Sequence, residues 1–138
     1  YLEDYANKST MKDIYEKADI ISLHVPLTVE TNALVNNDFI NKFRKKIYLI
    51  NTARGKCVKI EDLVKALKKG KIKGACLDVL ESEKISFESL GNDDLNTDMH
   101  YLMNAKNIIL SPHIAGWTEE SNIKIAKVLL EKIISDFL

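Results

Sequence analysis

Short apolar runs alternate along the sequence with segments of helical periodicity. Strands are predicted at residues 19–25, 47–51, 75–80 and 107–111. Helices are predicted at residues 10–18, 37–43, 60–67 and 119–137, where apolar residues recur at three- and four-residue spacing. Because the strands are apolar without clean alternation and helices separate them, the pattern predicts a doubly wound parallel α/β sheet covered on both faces.

Local signals mark several helix ends. Thr10 and Asp13 form a T-x-x-D capping pattern, and Lys68-Lys69-Gly70 supplies a basic last turn followed by a glycine stop. In the C-terminal helix one apolar face is expected to point inward; its members are Ile123, Ala126, Leu130, Ile133 and Phe137.

The connection at residues 81–106 is long and polar, and connections of this length are typically functional or disordered. Apolar residues within it favour one short helix: Leu95, Met99, Leu102 and Met103.

Composition narrows the function classes. The 138 residues are 46% apolar, which is enough for one domain with a sizeable core. Twenty basic residues balance twenty acidic ones, so nucleic acid and anionic membranes are unfavourable partners. No apolar run approaches the roughly 18 residues of a membrane span, and no leader is evident. A cytoplasmic protein is expected.

The cysteines and histidines give no sign of a metal site. Cys57 and Cys76 form no C-x-x-C motif and are expected to be reduced thiols in the core of an intracellular protein. Together with His24, His100 and His113 they show no recognised ligand spacing.

Polar side chains follow every predicted strand. In an open parallel sheet, ligands bind at the carboxyl ends of the strands. The residues at those ends are His24, Val25 and Pro26; Thr52, Ala53 and Arg54; Asp78, Glu81 and Glu83; and His113. Four separate strand ends that supply an arginine, carboxylates and histidines to one edge predict a binding or catalytic site there.

These side-chain types suit the handling of a small carboxylic acid. The planar fork of Arg54 can hold a carboxylate in a fixed orientation. His113 can exchange a proton near neutral pH, and Glu83 or Glu81 can bond its other ring nitrogen and select the tautomer. No amino acid donates hydride, so a redox reaction at this edge requires a cofactor.

Four segments, read in order, resemble a known family. They are "LHVPLTVET" at 23–31, "LINTARGK" at 49–56, "GKIKGACLDVLESE" at 70–83 and "NIILSPHIAGWT" at 107–118. They are similar to the successive motifs of the NAD-dependent D-isomer-specific 2-hydroxyacid dehydrogenases. The resemblance implies that Arg54 binds the substrate carboxylate, that His113 is the acid/base, and that Glu83 orients His113 and raises its pKa. Counting from Asp78 favours Glu83 over Glu81.

The resemblance also implies how the cofactor and substrate bind. NADH would pass hydride to the 2-oxo carbon of a small acid while His113 protonates the oxygen, with Asp78 near the nicotinamide carboxamide. The implied cofactor-lining residues are His24, Val25, Pro26, Thr31, Thr52, Ala53, Arg54, Asp78 and His113. The full-length protein would form a homodimer.

One departure from the family pattern concerns the glycine-rich loop that binds the cofactor phosphates. None of the five glycines belongs to a G-x-G-x-x-G motif. Residues 1–138 are therefore expected to be the C-terminal portion of the NAD-binding domain, without the first strands or the substrate domain. The first remaining strand should then have an unpaired edge that favours association.

The segment after Glu83 bears on the substrate. "ESEKISFESLG" has no proline after the glutamate, unlike many members of the family. A substrate like D-lactate is favoured on this ground. The alternatives are a 3-phosphoglycerate dehydrogenase of serine biosynthesis and a non-catalytic, NAD-sensing dimerisation module.

Overall fold

The computed structural model describes residues 7–81 and 97–137, which form a four-stranded parallel sheet with helices between the strands. The strands, in spatial order, are β1 (Ile20–Leu23), β2 (Ile47–Asn51), β3 (Ile72–Leu77) and β4 (Ile108–Leu110). The helices are α1 (Met11–Lys17), α2 (Asn37–Lys42), α3 (Ile60–Lys68), α4 (Thr97–Asn104) and α5 (Glu119–Phe137), with a short 3-10 turn at Gly55–Cys57. The predicted parallel α/β class is confirmed.

The sheet buries one face. Crossovers between parallel strands are right-handed, so successive strands added in one direction place their connecting helices on the same side. On that side Leu23, Leu49 and Leu77 are buried in a core shared with α2, α3 and α4. On the other side Tyr48 and Ile109 are exposed. The expected coverage of both faces is therefore not found among the described residues.

An aromatic cluster joins α1 to this core. Tyr15 of α1 packs edge-to-face against Phe39 and Phe43, with ring centroids 5.7 and 5.0 Å apart, respectively. Such pairs stabilise by about 0.5–1.5 kcal/mol beyond their buried area. The cluster fixes α1 next to α2, and the Tyr15 carbonyl accepts a hydrogen bond from the Arg44 amide of the loop before β2.

Two helix ends follow the sequence signals. The Thr10 hydroxyl accepts a hydrogen bond from the Asp13 amide at 3.2 Å, as the capping pattern predicts. At the end of α3, Gly70 has φ +66°. Its amide donates to Leu67, and the Lys71 amide donates to Ala66, so the terminal carbonyls of the helix are satisfied by a Schellman motif.

The first and third strands differ in extent from the prediction, and residues 19, 24 and 25 lie outside β1. The third strand begins at Ile72 and ends at Leu77, so residues 78–80 leave the sheet and turn toward the loops at its carboxyl edge. The short helix in the long connection is confirmed as α4, where Met99 and Leu102 are buried and Met103 is exposed. Leu95 lies outside the described residues.

The predicted inward face of α5 is wrong. Ile123, Leu130 and Ile133 are all exposed, with 62% of the Ile123 surface accessible, and Ala126 is exposed as well. The side chain of Phe137 lies outside the described part of the chain. Periodicity shows that a helix has an apolar face, but what that face packs against depends on tertiary structure.

The edge of the sheet and the two cysteines agree with what the sequence predicts in part. β1 lies at one edge of the sheet, as predicted. Cys57 is buried, Cys76 is half-buried, and neither forms a disulfide. Within the described ranges, no helix is long and apolar enough to cross a membrane.

The glycine stop of α3 gives a stability test. A Cβ at Gly70 meets no atom within 4 Å, so Gly70→Ala is strained only by its positive φ. We expect a loss of about 1 kcal/mol in the free energy of unfolding, measured by urea titration. Gly116→Ala is the matched control because that site is equally open and its φ is not positive. Equal losses in both variants would contradict the explanation.

Candidate active site

The last residues of the four strands form one row across the sheet. Leu23 is paired with Asn51, Asn51 with Leu77, and Leu77 with Leu110. The residues that follow these strands therefore leave the sheet at the same edge, as the sequence predicted for His24, Thr52, Asp78 and His113. β2 and β4 are two strand spacings apart, which is about 10 Å.

The turn after β2 is held by a buried asparagine. Asn51 is fully buried; its Oδ1 accepts from the Ala53 amide at 3.1 Å and its Nδ2 donates to the Arg54 carbonyl at 3.1 Å. Thr52 is half-buried and Ala53 is buried within this turn. The turn ends by presenting Arg54 at the surface.

Arg54 has no ionic partner in the part of the chain that the structure describes. Its Nη1 donates to the neighbouring Ala53 carbonyl at 2.6 Å, and its side chain is exposed. The guanidinium thus retains N–H donors that can bind an anion bidentately. Asn51 holds the backbone of Arg54, and the guanidinium makes one side-chain hydrogen bond among the described residues, so its other donors are suited to a ligand that arrives from solvent.

The buried carboxylate of Asp78 organises the loop after β4. Oδ1 accepts from the Ser111 hydroxyl at 2.6 Å and the Ile114 amide at 2.9 Å, and Oδ2 accepts from the Ala115 amide at 3.0 Å. The Asp78 carbonyl also accepts from the His113 amide at 2.9 Å. One aspartate thus binds the loop on both sides of His113.

These donors set the charge state of Asp78. Burial alone would raise the pKa of its carboxyl, but hydrogen bonds from Ser111, Ala115 and Ile114, together with nearby His113, outweigh burial and lower the pKa below 3.8. Asp78 is therefore a stable anion at neutral pH. Its negative charge faces the loop that carries the histidine.

His113 has a strained backbone and an exposed ring. Its φ is +59°, a region that costs a non-glycine residue roughly 1–2 kcal/mol. Amide hydrogen bonds to the carbonyls of Asp78 and Ser111 hold this conformation. Strain of this kind is concentrated at functional sites, and the ring has no hydrogen-bond partner among the described residues.

The end of β1 forms a compact turn. His24 Nε2 lies 2.8 Å from the Ser22 hydroxyl, and Val25 is partly buried against the core. The Thr31 hydroxyl donates to the Pro26 carbonyl at 2.6 Å and accepts from the Thr28 amide at 2.7 Å. Thr31 thus closes the loop that follows β1, where His24 and Pro26 are exposed.

The two candidate glutamates differ in what the structure describes. Glu83 lies outside the described residues. Glu81 Oε2 accepts a hydrogen bond from the Ile60 amide at 3.1 Å, at the first residue of α3. The carboxylate of Glu81 therefore binds the helix that follows the Arg54 turn.

Asn51 and Ser111 were missed as site residues by sequence reasoning. Each is a polar residue at or just after the end of an apolar strand, and each supports a neighbouring loop through its side chain. A polar residue that ends a buried strand must have a hydrogen-bond partner, and that signal was available in the sequence.

The residues at this edge fit one end of a dinucleotide. Val25 and exposed Pro26 offer apolar surface to a flat ring. Within residues 7–81 and 97–137, Asp78 Oδ2 accepts one hydrogen bond, from the Ala115 amide, and a carboxylate oxygen can accept a second. For the phosphates of a dinucleotide the sequence offers no comparable binding motif, because it contains no G-x-G-x-x-G. Residues 7–81 and 97–137 contain no cluster of three ligating side chains that could hold a metal ion.

A parallel α/β sheet with its polar loops at the carboxyl edge defines part of a Rossmann-like nucleotide-binding domain. The family model "D-isomer specific 2-hydroxyacid dehydrogenase, NAD binding domain" matches residues 2–115. The chain belongs to this family, whose members are NAD-dependent oxidoreductases. The predicted family and its cofactor, NAD, are thereby confirmed.

Individual relatives agree with this assignment. A glyoxylate reductase of Thermofilum pendens is 43% identical over 122 residues, which are 88% of this chain and 33% of the relative. D-3-phosphoglycerate dehydrogenase 1 of Saccharomyces cerevisiae is 40% identical over 118 residues, covering 85% of this chain and 25% of the relative. The chain thus spans a third or less of the length of these two curated relatives.

Solved structures support the fold in the same way. A D-isomer specific 2-hydroxyacid dehydrogenase from Lactobacillus delbrueckii ssp. bulgaricus, in an NAD-complexed form, superposes with a TM-score of 0.81 at 32% identity. D-lactate dehydrogenase from Lactobacillus jensenii with NAD+ gives 0.82 at 30% identity. In both cases 96% of this chain is aligned with 41% of the other.

The role of Asp78 can be tested through pH. Because the pKa of Asp78 is lower in the folded state, its ionised carboxylate stabilises the fold at pH values above 3.8. This stabilisation is lost as the pH falls through the lowered pKa. Asp78→Asn, which removes the charge shared by three donors, should cost about 3 kcal/mol at neutral pH. The difference from the unsubstituted protein should shrink in urea titrations at increasingly acidic pH.

Asp38→Asn is the control, since Asp38 is exposed in the first turn of α2. It should change the free energy of unfolding by no more than about 0.5 kcal/mol. A pH-independent cost at Asp78, or an equal cost at Asp38, would argue against a carboxylate that holds the loop.

Proposed function

We propose that the protein containing this chain interconverts a D-2-hydroxy acid and its 2-oxo acid by NAD-dependent hydride transfer. The observation that carries the proposal is the row of paired strand ends, which brings the Arg54 turn and the His113 loop to one edge around Asp78. Membership of the dehydrogenase family supports the same reaction.

The roles of the two exposed side chains follow from their chemistry. Arg54 binds the carboxylate of the acid through paired N–H donors, which fixes the neighbouring carbon and oxygen in orientation. His113 delivers a proton to the 2-oxo oxygen in reduction and removes it from the hydroxyl in oxidation. Glu83 is the proposed partner that orients the His113 ring.

An NAD cofactor would bind beside these groups, and its nicotinamide would supply or accept the hydride, which no side chain can do. Val25, Pro26, Thr52 and Ala53 would line the ring and exclude water from it, and Asp78 would accept a hydrogen bond from the carboxamide. His24 and Thr31 would complete the rim. Asp78 also keeps the His113 loop in place through the hydrogen bonds already described.

A small 2-oxo acid such as pyruvate, reduced to D-lactate, is the favoured substrate. The solved D-lactate dehydrogenases of similar fold and the absence of proline after Glu83 support it. The second candidate is a 3-phosphoglycerate dehydrogenase, which the 40% identity to the yeast enzyme favours. The third is a non-catalytic NAD-sensing or dimerisation module.

We also propose that residues 1–138 are the C-terminal portion of an NAD-binding domain in a longer, cytoplasmic, homodimeric protein. The relatives are much longer, and both the open face of the sheet and α5 expose large apolar side chains, including Tyr48, Ile109 and Leu129. Exposed apolar surface of this extent is typical of surfaces that other protein covers. The unpaired cysteines favour a reducing compartment.

Steady-state kinetics of the full-length protein test the reaction. With NADH and pyruvate, glyoxylate or 3-phosphohydroxypyruvate, Arg54→Lys should raise KM for the acid by about tenfold or more, because a point charge replaces a bidentate fork. His113→Asn should lower kcat by about 100-fold or more through loss of the proton donor. Both variants should bind NADH normally by fluorescence titration.

Arg44→Lys and His100→Asn are the matched controls, since both residues are exposed and neither follows the carboxyl end of a strand: Arg44 precedes β2 and His100 lies in α4. They should leave KM and kcat unchanged. If the unsubstituted protein binds NADH but oxidises none of it with any 2-oxo acid, the dehydrogenase proposal fails and the NAD-sensing module replaces it.

Residues 1–138 alone provide a second test. They contain no glycine-rich phosphate-binding motif, so we expect no turnover and a Kd for NADH above about 1 mM. This Kd corresponds to a binding free energy of at most about 4 kcal/mol. The edge of β1 should promote association, visible by light scattering. Micromolar NADH binding by a monomeric 138-residue chain would contradict both expectations.

A further inference from the structure

The segment at residues 78–81, called the bridge segment, connects the two loops of the site. At its first residue, Asp78 binds the His113 loop through its carboxylate and its carbonyl. At its other end, the segment lies against the turn that carries Arg54. It follows β3, the strand between those two loops.

The Arg54 side of the bridge segment is a close backbone approach. A Cβ on Gly55 would overlap the carbonyl group of Leu80 and crowd the amide of Glu81. Leu80 is buried and cannot yield easily. The residue next to Arg54 must therefore be glycine for the two backbones to lie this close.

Glu81 joins this end of the bridge segment to the start of α3 through a hydrogen bond. Its carboxylate accepts from the Ile60 amide at 3.1 Å, where α3 begins just after the Arg54 turn. The N-cap residue of α3, Lys59, has no side-chain cap, so Glu81 satisfies an amide that the local sequence leaves open. The negative charge is also favourable at the positive end of the helix.

From these contacts we propose that Glu81 is a positioning residue for the reaction. It holds the bridge segment against the Arg54 turn and so sets the spacing between the guanidinium that binds the acid and the imidazole that moves the proton. The inference rests on the proposed function. It gives Glu81 a role separate from that of a histidine partner.

The spacing matters because one small molecule must contact both groups. Arg54 leaves the sheet after β2 and His113 after β4, and the bridge segment lies between them and contacts both loops. A misplacement of 1 Å between reacting groups can cost about 100-fold in rate. Loss of the Glu81 bond should therefore affect catalysis more than it affects stability.

The test compares two conservative variants in the full-length protein. Glu81→Gln keeps the reach and an amide oxygen that can accept from Ile60, but it removes the charge. Glu81→Asp keeps the charge but is one methylene too short. Glu61→Ala, at an exposed glutamate in the first turn of α3, is the matched control. KM and kcat for the 2-oxo acid, Kd for NADH and Tm are measured for each.

We expect Glu81→Asp to raise KM for the 2-oxo acid and lower kcat, with a combined loss of about tenfold or more in kcat/KM. Glu81→Gln should recover to within about threefold of the unsubstituted protein, because the acceptor is retained. Kd for NADH should change less than about twofold in both variants, and Glu61→Ala should resemble the unsubstituted protein.

The inference is overturned if Glu81→Asp keeps its kcat/KM, if it loses only Tm, or if Gln performs worse than Asp. Arg54→Ala and His113→Ala separate this failure from a failure of the proposed function. If they abolish turnover while Glu81→Asp remains fully active, the positioning role alone is wrong. If turnover persists in both, the proposed function itself fails.

Discussion

The site depends on one buried carboxylate. Asp78 lies at the end of a central strand, where burial of an unpaired charge would be costly, and three donors from the loop after β4 offset that cost. In the structure these donors are satisfied by a loop conformation in which His113 has a positive φ. The hydrogen bonds that keep Asp78 ionised therefore also hold the loop that carries the histidine.

The neighbouring strand repeats this arrangement with a neutral side chain. Asn51 is completely buried and uses its amide to close the turn that leads to Arg54. Both buried polar residues are satisfied by hydrogen bonds, whereas the exposed arginine and histidine have free donors or acceptors. The fold thus separates the groups that hold the loops from the groups that are left to meet a ligand.

The described residues make one well-packed side and leave the other open. Helices α1 to α4 share a single core with one face of the sheet, while the opposite face and α5 expose aliphatic and aromatic side chains. In a parallel sheet both faces are normally covered. This asymmetry agrees with the finding that the chain aligns with about two fifths of a similar structure. The sequence predicted strands buried on both faces, but among the described residues helices cover only one face.

The sequence alone determined the features that depend on near neighbours. The bounds of β2 and α5, the Thr10 cap and the glycine stop of α3 follow from spacing within a few residues, and four motifs indicated the family. Packing between distant segments places Asp78 against the loop at 111–115 and Glu81 against Ile60, and it leaves the apolar face of α5 exposed. The two hydrogen-bonded contacts join residues 21 and 37 positions apart. The exposure of α5 depends on which other surfaces pack against it. Periodicity can show that a side chain needs a partner, but the folded chain determines which partner it finds.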